Sequence, residues 1–560
     1  MVYNWLSLQS LLVNYKAVMI KSNLQRIRPV LLLILIFGVA LGVRAVAAAH
    51  NTMIANDETV YVRMAENLAA GKAPVEISGM SSATFTPLLP LFIDGLSRVI
   101  KNFVESSHVI VVLFGALLVL PVYRLGRQLL SERTGLMAAA LIAISPLLIT
   151  FSSHVYSEAV YCFFLLTALS FGWDTIQKHR LSAAAITGIS LGFAYLANAT
   201  TVYYLIVLAT IILVGAYKGN SWRSSSKALV IMLAIFSVFA IPYVLFLHQE
   251  LGKWTFTGKD IYSNLRTINL QWNTSEGYIN GALQLTDDGT NVKILQFNDE
   301  ALHSSVIVYL LDHPVQALRQ FISNYQIFYL SDLQKVFFGG FLPLMGLGLF
   351  GRTWDRRYAA RAGYVLVMML PALLVMLLWQ QGPRYYVPFV PFAIILAAEG
   401  WQVLERWGRD SVSRILSTEK SDRWNKLVPW AVGVMIIIPT LPFVNTAIKN
   451  DAYQSSYKLA GEWIKHDGGP GKKVMEIEYS AAYYSGGDAL ILPSADYNRT
   501  TAYARLANDD YLVITKQDLD QWRPDLSRLL RDETEHPEWK LVDKEDYGPG
   551  DTAFVFKLQR

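Results

Sequence analysis

The sequence predicts an α-helical polytopic membrane protein with a C-terminal α/β domain outside the bilayer. Three observations lead there. Of 560 residues, 53% are hydrophobic and only 17% charged, against about 25% charged in an average soluble domain. The mean hydropathy is +0.31. The apolar residues gather in long runs separated by short basic clusters, and the last hundred or so residues are polar. This composition excludes a disordered chain and argues against an ordinary cytosolic enzyme. The net charge of +5 does not indicate nucleic acid, because the basic residues sit between apolar runs rather than on one face. The single cysteine, Cys162, lies inside an apolar run, so no internal disulfide, Cys-based metal site or redox chemistry follows.

A helix needs about 20 mostly apolar residues to cross the hydrocarbon core. About eleven runs qualify as spans: Pro29–Ala49, Val109–Leu125, Thr134–Phe151, Glu158–Trp173, Leu181–Leu196, Thr201–Gly215, Ala228–Leu247, Val336–Phe350, Tyr364–Trp379, Tyr386–Leu404 and Leu427–Val444. The first lacks a small-residue cleavage site and is read as a span, not a signal peptide. Basic residues mark alternate connections. They are Lys16 to Arg28 before the first span, then Arg124 to Arg133, Lys178 to Arg180, Lys218 to Lys227, Arg352 to Arg361 and Arg406 to Lys426. This phase predicts a cytoplasmic N-terminus and an odd number of spans, in the inner (plasma) membrane of the cell. The other connections, and the tail, face the periplasm or the exterior.

The chain therefore divides into a transmembrane domain over 1–447 and a soluble domain over 448–560, with long outer loops at 50–108 and 248–335. The cytoplasmic connections are short and the outer ones large, which suggests chemistry at the outer face. The first loop reads as two helices. Asn56 is an N-cap for a helix running to Ala70, stopped by Gly71. A second, amphipathic piece from Pro87 to Ile100 carries a broad apolar face suited to the interface. Loop 248–335 is rich in aromatics and Asn, has a low net charge, and is expected to hold short helices that cover a cavity. In the tail, Tyr457–His466 and Leu526–Asp532 have helical patterns. Lys473–Ile477, Ala489–Leu492, Tyr511–Thr515 and Thr552–Leu558 read as strands. The tail has no catalytic motif and no Gly-rich phosphate loop.

A few charged residues stand out against this pattern. Asp57 and Glu58 follow the first span on the outer side. Helix capping explains such a pair most simply. A carboxylate at the mouth of a membrane cavity is the functional alternative, since charge there is expensive. Tyr61 lies one turn after Asp57 on the same face. Glu158 follows the third span in Phe151-Ser-Ser-His-Val-Tyr-Ser-Glu158. It reads equally as a first-turn acid or as a second member of a shared site. Arg384, in Gly382-Pro-Arg-Tyr-Tyr386, is an outward arginine in a chain that keeps nearly all others inside. Snorkelling to headgroups competes with an anion clamp, for which the guanidinium fork suits phosphate. Lys72, Lys259, Arg266 and Tyr385 are weaker candidates for that role. Arg44, near the outer end of the first span, has no place in the orientation rule. His50, His154 and His248 also fall outside, without a helix-spaced metal motif.

In order and placement, these residues resemble the GT-C class of membrane glycosyltransferases. The similarity is to the protein O-mannosyltransferase-like group that includes the lipid A aminoarabinose transferases. It rests on Asn56-Asp57-Glu58-Thr-Val-Tyr61, Ser157-Glu158, Arg384-Tyr385-x-x-Pro388-x-x-Pro391 and Tyr483-Tyr484-Ser485-Gly486-Gly487. Three positions depart from relatives. Val60 stands where many have Arg. Phe85-Thr86-Pro87 lacks the Lys of the aminoarabinose branch. Asn198 replaces an Arg near the end of the fifth span. The Trp-Trp-Asp-Tyr-Gly signature of oligosaccharyltransferases is absent.

The resemblance implies a GT-C fold and a donor sugar on polyprenyl or undecaprenyl phosphate. The reaction would belong to glycosylation of the cell envelope, with membrane lipids as partners and no nucleic acid. Asp57 would be the base towards an acceptor hydroxyl on a lipid, glycan or protein. Glu158 would position the acceptor or Asp57, with Glu58 and Tyr61 in support. Arg384, Tyr385, Lys72 and Arg266 would hold the lipid phosphate. A divalent cation (Mg, Mn or Zn) held by Asp57, Glu158 and His154 is a further expectation. Attack opposite the phosphate predicts inversion at the anomeric carbon. A lipid-linked glycan transporter or flippase, and a non-catalytic outer-face scaffold, are the alternatives of other classes.

Overall fold

The computed structural model describes residues 27–51, 53–73, 75, 77, 82–218, 221–258, 284–290, 292–293, 312, 314–333, 341–378, 382–449, 455–531 and 536–559. Each predicted span is helical in most of its described part. In chain order, α1 is Ile27–His50, and α2 (Asp57–Ala69) and α3 (Leu88–Ile100) form the first loop. Next come α4 (Phe103–Leu117), α5 (Val119–Leu129), α6 (Glu132–Ala143), α7 (Pro146–Thr150), α8 (Glu158–Lys178), α9 (Leu181–Ala197), α10 (Thr201–Lys218) and α11 (Trp222–Leu251). After the segment 252–313, only part of which is described, α12 (Pro314–Ile327), α13 (Phe341–Phe350), α14 (Arg356–Leu378), α15 (Pro383–Tyr386), α16 (Val390–Ile415), α17 (Thr418–Asn425), α18 (Val428–Ile437) and α19 (Leu441–Ile448) complete the described helical part. Six described helices are long and apolar enough to cross a membrane, and three shorter apolar ones lie among them. The predicted eighth span begins at Val336, outside the described residues, and is seen from Phe341.

The third predicted span is two helices. Pro146 has no N–H and disfavours helical backbone at Ser145, so the chain breaks between α6 and α7. Arg44 of α1, fully buried, closes the break by donating to the carbonyls of Ile142 at 3.0 Å and Ala143 at 3.1 Å. A buried arginine at this depth is thus a cap on the exposed carbonyl end of α6. The loop after α7 runs directly to Glu158.

The described part of the first loop holds the two helices its sequence predicts, with Gly71 at a left-handed φ of 68°. One detail differs: Asn56 makes no capping bond to α2.

The tail is a mixed sheet flanked by helices. A small hairpin, β1 (Gln284–Leu285) with β2 (Val292–Lys293), precedes it in the chain. The sheet strands are β3 (Lys473–Glu476), β4 (Asp488–Ile491), β5 (Tyr511–Thr515), β6 (Trp539–Gly548) and β7 (Asp551–Leu558), in the order β4-β3-β5-β7-β6. β3 pairs parallel with β4 and β5, and β7 pairs antiparallel with β5 and β6. Alternating residues serve two cores. Val474, Tyr511, Val513 and Val555 face Met53, Val60 and Met64 of the first loop, whereas Met475, Leu512, Ile514 and Phe556 pack away from it. Two sequence expectations need correction. Leu526–Asp532 is a 3₁₀ segment, Pro524–Leu530, where Pro524 starts a tight turn. Strand β6 was not expected, because its charged run lacks alternation. That is the composition of a protected sheet edge.

Candidate active site

Three elements deliver the charged residues. Asp57 and Glu158 occupy the first turns of α2 and α8, where the helix dipole favours a carboxylate. Arg384 sits on α15, a single turn inserted between α14 and α16. The three meet although they lie hundreds of residues apart. Arg384 Nη1 donates to Asp57 Oδ2 and Arg384 Nε donates to Glu158 Oε1. The Tyr156 ring lies under the guanidinium, 4.5 Å from its carbon. Glu158 is buried, Asp57 is more than one-third exposed, and Arg384 lies between. Such charge-assisted bonds are among the stronger ones.

Behind this triad, Glu58 braces two loops. Its buried carboxylate accepts Val155 N–H at 2.6 Å and Ala55 N–H at 3.2 Å, with His154 Nδ1 at 3.2 Å. It ties the start of α2 to the segment that carries Glu158. It therefore supports from behind and does not face the cavity. His154 accompanies Glu58 and is not beside Asp57. Tyr61 Oη bonds Ser157 Oγ at 3.3 Å, and its ring stands edge-on to Phe85. Burial pushes the Tyr61 hydroxyl up to about 12, so it is a neutral donor.

Asn56, just before Asp57, adopts φ 49° and ψ −126°. A non-glycine residue pays for such a conformation with about 1–3 kcal/mol, held only where surrounding structure imposes it.

A cavity of about 360 Å³ opens beside the triad. Glu158, Arg384, Tyr61 and Tyr385, all candidates from the sequence, line it together with Ser157. Much of its wall was not anticipated: Thr84 and Thr86, Tyr161, the Asn198–Thr200 turn, Tyr203, Tyr243 and Thr255–Gly258. Long-range bonds assemble this wall. Thr86 Oγ1 donates to Ala197 O at 2.7 Å, Tyr195 Oη donates to Phe256 O at 2.8 Å, and Tyr161 and Thr200 share a hydroxyl bond of 2.9 Å. A Cβ on Gly258 would fall 1.6 Å from Ala83 O, so only glycine lets the 255–258 segment lie this close. Of the large loop expected to cover a cavity with short helices, Thr255–Gly258 lies in the cavity wall, and most of the rest lies outside the described residues. Lys72 is exposed beyond the end of α2 and is not in the cavity wall. Lys259 and Arg266 lie outside the described residues.

Among the described residues, no group of three or more His, Cys, Asp and Glu is arranged to hold a metal ion. Asp57 and Glu158 already face the Arg384 charge, and His154 faces Glu58. As they stand, these residues do not fit a divalent ion.

A family model, dolichyl-phosphate-mannose-protein mannosyltransferase, matches residues 84–245. No curated protein matches the chain. Among solved structures, the chain is similar to the archaeal oligosaccharyltransferase AglB from Archaeoglobus fulgidus, in complex with an inhibitory peptide and a dolichol-phosphate. The TM-score is 0.60 at 14% identity, over 96% of this chain and 75% of that one. The same protein in complex with Zn and sulfate gives 0.58 at 14% identity, over 93% and 73%. ArnT from Cupriavidus metallidurans, bound to undecaprenyl phosphate, gives 0.56 at 13% identity, over 93% and 97%. At these identities the likeness is one of fold. The chain thus has the GT-C membrane fold, and its segment 84–245 carries the pattern of the protein O-mannosyltransferase group that its sequence resembles.

Proposed function

We propose that the protein is an inverting glycosyltransferase. It moves a sugar from a polyprenyl-phosphate donor to an acceptor hydroxyl at the outer face of the membrane. One observation carries the reading: Arg384 joins Asp57 and Glu158, from separate helix starts, at the mouth of a cavity walled by hydroxyls and aromatic rings. The family match and the lipid phosphates bound by AglB and ArnT support it.

The donor's phosphodiester carries one negative charge. Entering the cavity, it takes the Nη1 side of Arg384 from Asp57 and leaves that carboxylate free. Asp57 accepts the proton of the acceptor hydroxyl. The acceptor oxygen bonds the anomeric carbon from the side opposite the phosphate, and the carbon–oxygen bond to phosphate breaks. The lipid phosphate departs with two negative charges, stabilised by Arg384, while Asp57 holds one proton. Phosphate leaves without protonation, so the two carboxylates that glycoside hydrolysis requires are not needed. Glu158 keeps Arg384 in place throughout. Tyr385 lines the same cavity beside Arg384.

The test is transfer of labelled sugar from a defined polyprenyl-phosphate donor by the purified protein. Asp57→Asn should remove more than about 99% of transfer, as loss of a general base does, while lipid identified by mass spectrometry still co-purifies. A fully active Asp57→Asn protein refutes the assignment. Labelled lipid crossing vesicles without product would favour a flippase instead.

A further inference from the structure

Asn198, in the turn between α9 and α10, has all but one of its polar atoms engaged by neighbours in the chain. Its N–H donates to Ala194 O at 2.8 Å. Its carbonyl accepts Thr201 N–H at 3.2 Å and Thr201 Oγ1 at 2.8 Å. Its side-chain Oδ1 accepts Thr200 N–H at 3.0 Å and the Thr200 hydroxyl at 2.8 Å. A backbone N–H can only donate, so the atom it meets is the amide oxygen and not the nitrogen. The amide is therefore fixed in one sense. Nδ2, with its two N–H donors, is the atom left over, and among the described residues no group accepts from it. Asn198 lines the cavity beside the triad.

The turn is anchored from α8. Tyr161, fully buried, shares a hydroxyl bond of 2.9 Å with Thr200. A hydroxyl has one hydrogen, and that of Thr200 goes to Asn198 Oδ1, so Tyr161 donates to Thr200. The chain of bonds from Tyr161 through Thr200 to Asn198 thus runs one way and ends on the amide. Tyr161 lies three residues after Glu158, one turn along the same face of α8, and Glu158 holds Arg384. One helix therefore positions both the guanidinium and the amide, and both line one cavity. Thr86 fastens the turn from the first loop through Ala197 O at 2.7 Å.

A fixed pair of neutral donors suits an oxygen that accepts hydrogen bonds and carries no charge. The charged oxygens of the donor belong to Arg384. The acceptor comes to Asp57, which stands at the mouth, whereas Asn198 is in the wall. We propose that Asn198 is a specificity-determining residue for the donor sugar: its Nδ2 donates to a ring hydroxyl of the sugar carried on polyprenyl phosphate. Thr200 and Tyr161 are positioning residues. The inference rests on the cavity being the donor site, and it adds which part of the wall reads the sugar. A site built to bond a substrate hydroxyl rejects the analogue that lacks it, because its own polar group is then left unpaired.

The experiment uses the full-length protein in detergent, with two readouts. One is the rise in Tm given by polyprenyl-phosphate mannose, glucose or arabinose beyond that given by bare polyprenyl phosphate, which reports what the sugar adds to binding. The other is transfer from the best of these donors and from its monodeoxy analogues. Asn198→Ser keeps an oxygen that can hold the turn at Thr200 and removes Nδ2, whereas Asn198→Ala removes both. Asn198→Ser should keep the Tm rise given by bare polyprenyl phosphate and lose the extra rise given by the sugar. With the wild type, one monodeoxy donor should lose about 10–100-fold in kcat/KM. With Asn198→Ser the same donor should lose less than about threefold, since the partner is already gone. Thr200→Val, which keeps the N–H and loses the hydroxyl, should fall between. An Asn198→Ser protein that keeps the full extra rise, or that loses the wild-type factor with every monodeoxy donor, overturns the proposal. So does one whose Tm without ligand falls as far as that of Asn198→Ala while bare polyprenyl phosphate no longer binds, since Asn198 is then only a fastening of the turn. If no sugar raises the wild-type Tm beyond bare polyprenyl phosphate, the proposal falls with the donor site. If donors bind and are never consumed, the transferase reading fails, and the Tm readout alone decides the role of Asn198.

Discussion

The helical part carries two ionic clusters, one at each end, built from the same chemistry and arranged for different ends. At the site end, one arginine serves two carboxylates beside a cavity. At the opposite end, cations outnumber the acids. Glu405 of α16 meets Arg133 of α6 and lies 3.7 Å from Arg409. Glu399, two turns earlier, meets Arg352 at 3.2 Å, Arg406 at 3.9 Å and Thr134 Oγ1 at 2.9 Å. Nearby, Asp174 of α8 holds Arg124 at 2.5 Å, Gln128 at 2.9 Å and Lys178 at 2.6 Å. These acids are buried and each meets at least two partners, so the bonds tie α5, α6, α8, α13–α14 and α16 together. At the site end the cation is scarce and open to solvent on one side, and an incoming phosphate can take over one of its bonds. Redundancy marks a fastening, and an exchangeable single cation marks a site. A fastened opposite end also supports a fixed scaffold over the alternating access a transporter needs.

The comparison breaks most visibly at Arg384. Arg384→Met should cost about 100–1,000-fold in kcat/KM, the usual loss when a charge-stabilising donor is removed, and it leaves Glu158 buried without its partner. Arg384→Lys should recover only part, because an ammonium cannot present two parallel donors to Asp57 and Glu158. Steady-state transfer assays measure both. A methionine variant within twofold of wild type would remove Arg384 from the chemistry.

The matching change at the other end should do something else. Arg133→Met removes one cation from Glu405 and leaves Arg409 nearby. Arg133 is almost half exposed, so the stability loss should be about 1 kcal/mol after allowing for solvent screening, read as a lowered Tm. The rate per folded molecule should stay at the wild-type value. A fall in kcat without a fall in Tm would show that the two ends are coupled.

The two clusters also differ in how far the sequence disclosed them. Asp57, Glu158 and Arg384 were legible because charge at the end of an apolar run is costly and, for Arg384, on the wrong side for its type. That argument needs only local sequence. It could not assign Glu58, whose neighbours at 154 and 155 arrive through the fold, nor Arg44, whose partners are carbonyls freed by a break at Pro146. The cavity wall was hidden for a related reason. Asn198, Thr200 and Thr255–Gly258 are uncharged, lie in turns without periodicity, and face the cavity only because Thr86 reaches Ala197 and Tyr195 reaches Phe256. In the tail, strands that alternate or run apolar were found, while β6, charged along a sheet edge, was not. The stretch Tyr483–Gly487, singled out only for its resemblance to the family, turns out to lie against α2, which nothing local in the sequence disclosed.

The smallest expected effect concerns Glu478, in the turn after β3, and its sign separates it from the fastened cluster. Burial pushes the Glu478 carboxyl up to about 7, and the Asp518 carboxylate adds to the push. In the unfolded chain the group titrates near its ordinary 4.5. Between those values the folded protein holds a proton that the unfolded chain releases. The stabilisation from this group is therefore complete below about 4.5 and is lost as the pH rises through about 7. Glutamine resembles the protonated acid at every pH. Glu478→Gln should accordingly match the wild-type Tm at pH 4.5 and exceed it at pH 8, by a margin that opens between the two. Thermal unfolding in detergent across that range measures it. A carboxylate kept at a loss in stability above about pH 7 is out of place in a fastening. A constant margin at both pH values would mean that Glu478 titrates as a surface acid.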